Sequence, residues 1–155
     1  MTQNINSFSL GKEVGQLDLQ NSFPARVLSC YTDSNLVAGQ AVKLVDGTDK
    51  MPHVTAVTAD TDEVFGYVVY AIRKGAHVAG NVVEIALTGS VMFMTAGAAI
   101  AKNIDVMFVT ASSKVVTASG VTKWISGRTL DKAGADGDVI RVYIKSFADS
   151  AHPAA

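Results

Sequence analysis

The groups in this chain best suited to chemistry are three histidines, one cysteine and two small acidic clusters. His77 closes the run Arg73-Lys74-Gly75-Ala76-His77, beside two cations and between the glycines Gly75 and Gly80. A histidine of this kind could serve as a general base if a carboxylate oriented it, and Asp60 or Asp62 in "ADTDEVFG" would be that partner in a dispersed hydrolase. Zinc would need three or four converging ligands, commonly two of them at helical or near-turn spacing. His53, His77 and His152 are far apart in sequence, so no metal centre is expected. Asp60, Asp62 and Glu63, or Asp136 and Asp138 around Gly137, could hold calcium. Neither run completes a calcium-loop pattern, and solvated turns account for both.

Nucleophilic chemistry finds less support. Cys30 alternates with Leu28 in a strand-like segment, where a small buried thiol is the common case. No Gly-x-Ser-x-Gly elbow, phosphate-cradling glycine loop or dinucleotide fingerprint is present. Trp124, Tyr67 and Tyr70 could line a sugar site, but at period-2 spacing such aromatics more often anchor a core or an interface. The expectation is no catalytic residue, no cofactor and no metal. His77 then sits in a tight corner between two strands.

The elements that would position these groups are strands. "ARVLSCY", "QAVKLV", "FGYVVYAI", "NVVEIAL", "SVMFM", "DVMFVT", "KVVTA", "KWISGRTL" and "DVIRVYIKSF" alternate or are rich in β-branched and aromatic residues, and turn clusters separate them. About nine short strands so spaced predict an all-β domain, a barrel or a sandwich. Helix is expected only as single turns at "TADTDEV" and "TAGAAIAKN". Residues 1–24 are polar, lack a sustained period and end at Pro24, which reads as an extended arm. The β domain then covers 25–147, and 148–155 form a small polar tail. "VAGQAV", "VAGNVV" and "KAGADGDVI" each set Ala-Gly before a strand, which is repeated turn chemistry at uneven spacing.

Bulk composition bounds the partners. The 155 residues suffice for one domain. Net charge is −1 without a long basic block, so no nucleic-acid surface is expected. Charged residues make up 17% and hydrophobic ones 48%. A domain of this size leaves about a third of its unfolded-chain surface exposed. With few charges to cover that remainder, part of it is expected to be hidden by other subunits. The run "VMFMTAGAAIA" is far short of the ~18 apolar residues of a spanning helix, so no membrane is expected. The amino terminus lacks a secretory signal pattern, and one cysteine excludes an internal disulfide, so synthesis in a cytoplasm is expected.

Taken in series, "AGQAVKLVDG", "DEVFGYVVYAIRKGAHVAGNVVEIALTGSVMFMTAG" and "SGRTLDKAGADGDVIRVYI" resemble the structural cement or decoration proteins of tailed-phage capsids. Gly66, Gly75, Gly89, Gly127, Gly134, Gly137 and Asp138 stand at the matching places, and the resemblance spans about residues 36 to 146. It implies a non-enzymatic β domain, dimeric or trimeric, that binds the major capsid protein on the capsid exterior across capsomer junctions and reinforces the shell. No catalytic residue carries over from such a group. The corner here is basic, with Arg73, Lys74 and His77, where acidic residues are common in relatives. Phe8, Leu10, Leu17, Leu19 and Phe23 punctuate the polar arm and are the candidate interface anchors. The alternative is a small-molecule or carbohydrate-binding β domain of a phage tail or fibre.

Overall fold

The computed structural model describes residues 13–18, 25–59, 62–73, 75–119 and 125–145. Among these residues ten strands follow one another: β1 (Val27–Thr32), β2 (Ala41–Val45), β3 (His53–Ala56), β4 (Gly66–Val68), β5 (Val82–Ala86), β6 (Val91–Thr95), β7 (Asp105–Val109), β8 (Lys114–Thr117), β9 (Ile125–Thr129) and β10 (Val139–Ile144). The all-β expectation is met, and among the described residues there is no helix, hence none long and apolar enough to cross a membrane.

The first five strands close into a barrel in the order β1-β3-β2-β4-β5. β1 runs parallel to β3 and antiparallel to β5, and the β1–β5 pairing seals the ring. Closure leaves no free strand edge in this half of the molecule. Each of the five strands sends a small or β-branched side chain inward: Cys30, Val42, Val54, Val68, and Val83 with Ile85. The last five strands form an antiparallel sheet in the order β6-β10-β9-β7-β8.

The two halves share a second core. Strand residues alternate between faces, so the neighbours Ala41/Val42, Tyr67/Val68 and Ala86/Ile85 split between the barrel interior and the barrel wall. From the wall, Ala41, Tyr67 and Ala86 pack with Met92, Met94, Phe108, Ile140 and Val142 of the second sheet. Tyr67 meets Phe108 edge-on, with ring centroids 6.0 Å apart at 63°. Burial pushes the Tyr67 phenol well above its ordinary pKa. Ser126 lies near enough to offset part of that rise, yet among the described residues neither hydroxyl completes a well-aligned hydrogen bond.

Residues 13–18 stitch the halves together. The Gly15 and Asp18 amides donate to Phe93 and Val91 carbonyls at 2.8 and 2.9 Å, and the Phe93 amide donates back to Gln16 O at 2.9 Å. This covers the outer edge of β6, and Leu17 bridges Met92 within the ladder. On the barrel side, Tyr70 N–H donates to Gly15 O at 2.9 Å. Gly15 crosses Gly39 so closely that a Cβ on Gly15 would lie 2.6 Å from the Gly39 nitrogen, and both have positive φ, of 80° and 79°. Only glycine meets both demands. Arg141 then clamps the segment from β10: it grips Asp131 two-handed at 2.7 and 2.8 Å and reaches the buried Asp18 at 3.3 Å.

Three sequence expectations are corrected. "TAGAAIAKN" does not turn into helix, because its backbone groups are engaged across the sheet. Ala96 donates to Asp138 O, Gly97 to Val115 O, and Ile100 exchanges hydrogen bonds with Ala133, while Ala96 and Ile100 are buried. β3 adds a tenth strand: "HVTA" follows a turn-rich run and is too short to stand out by alternation. "FGYVVYAI" is strand only over Gly66–Val68, since Tyr70 turns away to bond Gly15.

Candidate interaction surface

The groups considered for chemistry are engaged in holding turns. His77 binds the Val69 carbonyl through Nε2 at 3.0 Å. Asp62 takes Lys43 Nζ at 2.8 Å and the Thr58 and Ala59 amides at 2.9 and 3.1 Å. The Lys43 ammonium and these amides hold its carboxyl well below the usual carboxylate range. No hydrogen bond or ion pair joins His77 to Asp62. Asp138 caps the Gly134 and Ala135 amides at 2.7 and 3.1 Å, and Asp136 pairs with Lys114 at 2.7 Å. Cys30 is fully buried in the barrel, where desolvation raises its thiol pKa and keeps it protonated. Asp60, Lys74, Trp124 and His152 lie outside the described residues.

His53, at the start of β3, is the most elaborated polar group. Asp33 meets its Nδ1 at 2.8 Å and Asp49 its Nε2 at 3.0 Å. Only the imidazolium can donate from both ring nitrogens. The hydrogen bonds to Asp33 and then Asp49 raise its pKa above 6.5. The two carboxylates sit on opposite ring nitrogens, so the three groups cannot converge on one ion. Among the described residues no cluster of His, Cys, Asp or Glu could hold a metal. The contact fastens the β2–β3 loop to the turn after β1.

Among the proposed arm anchors, Phe8, Leu10, Leu19 and Phe23 lie outside the described residues. Leu17 is half-buried against the core of its own chain. Of the aromatics, Tyr67 is buried in the core and Tyr70 is exposed, so they do not share a surface.

What the structure does gather is apolar surface at one end of the barrel. Loop 33–40, between β1 and β2, and loop 69–81, between β4 and β5, are bonded to each other. The Leu36 amide donates to His77 O at 2.8 Å, and the Ala79 amide to Asn35 Oδ1 at 3.0 Å. Gly80 N–H ties the second loop to Thr32 O at 2.7 Å. On this platform stand Val37, Tyr70, Ile72 and Val78, joined by Val82 at the start of β5. These are five of the eight large hydrophobics that stay exposed among the described residues, and Ile72 is 93% exposed. Arg73, Tyr31, Asn81 and Val82 border a shallow hollow of about 360 Å³ beside them. Single exposed apolar residues are ordinary, and a group concentrated on two joined loops is the candidate interaction surface. Sequence pattern hides it because Tyr70 and Ile72 are of strand-forming types; the Tyr70 N–H bond to Gly15 O, not their type, puts them in the loop.

A closed five-stranded barrel packed on an antiparallel five-stranded sheet defines an all-β domain. No protein-family model and no curated protein sequence matches the chain. Among solved structures, the N base of the head fiber protein gp8.5 of bacteriophage phi29 has a similar fold, with a TM-score of 0.55 at 14% identity, covering 84% of this chain and 99% of that one. At this identity the likeness is one of fold.

Proposed function

We propose that this chain is a non-enzymatic structural protein of a phage virion, a decoration protein that binds the outer capsid surface across capsomer junctions and stabilises the shell. The observation that carries the reading is the fold it shares with a phage head fiber base, over nearly the whole of that base. The apolar loop end of the barrel and the sparse charge of the chain support it, since both belong to a surface meant to be covered. Its partners are the major capsid protein and other copies of itself. Each contact on its own is small, but linking several in an oligomer makes the later ones effectively intramolecular and raises avidity by about 10²–10⁴. Separating two capsomers then requires several contacts to break together.

The test is to mix the purified chain with undecorated capsids of the phage that encodes it, image the particles, and heat them. The reading predicts ordered added density at capsomer junctions and a higher rupture temperature. Bare particles with an unchanged rupture temperature contradict it. The likeness to a fiber base favours one further reading, in which the domain seats a projecting appendage on the head. Density that continues outward from the domain in intact virions would select it.

A further inference from the structure

We infer that the loop end of the barrel docks on an apolar protein surface rimmed by carboxylates, supplied by the shell subunit and not by a second copy of this chain. The inference rests on the reading of the chain as a shell-binding protein, and it names the face used and the chemistry of what covers it.

The charge of the platform carries it. Residues 69–83 contain Arg73 and Lys74 and no acid, Glu84 follows two residues after Val82 on the same exposed face of β5, and residues 34–40 contain no charged side chain at all. Asp33, the nearest acid in sequence on loop 33–40, is engaged by His53 at 2.8 Å. Five other cations are matched within the chain, Lys43 to Asp62, Lys114 to Asp136, Arg128 and Lys145 to Asp105, and Arg141 to Asp131, whereas Arg26, Lys50, Lys102 and Lys132 are not matched among the described residues. Arg73 is exposed and, among the described residues, has no ion-pair partner. An apolar centre formed by Val37, Ile72 and Val78 beside an unanswered positive edge fits a surface with the opposite arrangement. A second copy meeting this face with its own like face through a two-fold axis would bring two copies of the Arg73 edge into one interface without an unengaged carboxylate from either loop to answer them, and like charges so gathered oppose association.

The experiment measures binding of the full chain to undecorated shells at low and high salt, alongside sedimentation of the chain alone. Ile72→Asp is expected to weaken binding by about 30-fold or more, as loss of a central apolar anchor does. Arg73→Glu is expected to weaken it by about tenfold, and added salt to weaken the wild type while narrowing that difference. Tyr143→Asp, at an exposed site on β10, is expected to bind as the wild type does. Because all three side chains are exposed, unchanged melting checks that each variant is folded. If the wild type decorates shells and both loop variants bind equally well, the docking face lies elsewhere and the inference fails while the function stands. Loss with Ile72→Asp, but no effect of Arg73→Glu or of salt, overturns the carboxylate rim. Self-association that Ile72→Asp abolishes makes a second copy the occupant and overturns the inference. A wild type that ignores shells overturns both.

Discussion

The seam between the barrel and the second sheet and the loop end of the barrel treat their side chains in opposite ways. At the seam, apolar groups are covered and charges are matched: Tyr67 is buried against Phe108, and Arg141 holds Asp131 and, across 123 residues of sequence, Asp18. At the loop end, Val37, Ile72 and Val78 face outward and Arg73 lacks an ion-pair partner among the described residues. The difference separates what makes the fold stable from what it offers to others. Substitutions at the seam should therefore cost stability, and substitutions at the loop end should cost binding alone.

The comparison is broken most forcefully at Tyr67. Tyr67→Ala removes a fully buried ring from the shared core and should destabilise by about 3–5 kcal/mol in denaturant unfolding. A loss under about 1 kcal/mol would mean the halves do not depend on that core. Arg141→Ala strips Asp18 and Asp131 of their guanidinium. With Arg141 itself 31% exposed, a loss of about 2 kcal/mol is expected, less than for a fully buried pair. Amide exchange should rise with it in residues 13–18, which a purely local effect at β10 would leave unchanged.

A smaller effect sharpens the barrel side. His53 has a folded pKa raised above 6.5 by Asp33 and Asp49, so its contribution is fully present below the unfolded pKa and fades as pH rises through the folded one. The His53 ring resonances should titrate above pH 6.5, and exchange in the β2–β3 loop should quicken over the same range. Asp33→Asn should move the midpoint down. A midpoint at or below 6.5 in the wild type contradicts the two-carboxylate contact. Smallest of all, Ile72→Asp should change unfolding free energy by no more than about 0.5 kcal/mol. A larger loss would show the loop residue to be part of the fold's own support.

How much of this was legible in sequence follows from the physics of each region. The strand in "DVIRVYIKSF" shows itself by alternation, because one of its faces, with Ile140, Val142 and Ile144, meets a core. β3 does not, being four residues long behind a turn cluster. The parallel β1–β3 pairing within the closed barrel leaves no local trace, since partners Tyr31 and His53 are set by the ring as a whole. Residues 13–18 carry no period because backbone hydrogen bonds and the Gly15–Gly39 crossing hold them, with Leu17 their one side chain packed on the core. The loop surface was hidden for a related reason: Tyr70 and Ile72 have strand-forming types, and only the departure of Tyr70 N–H to Gly15 takes them out of the sheet.

A reconstruction of the decorated shell would test the account most directly. The account predicts that loop 69–81, with Ile72, lies buried against the capsid. Shells that stay bare, or a domain seated through the seam with Ile72 in solvent, would contradict it.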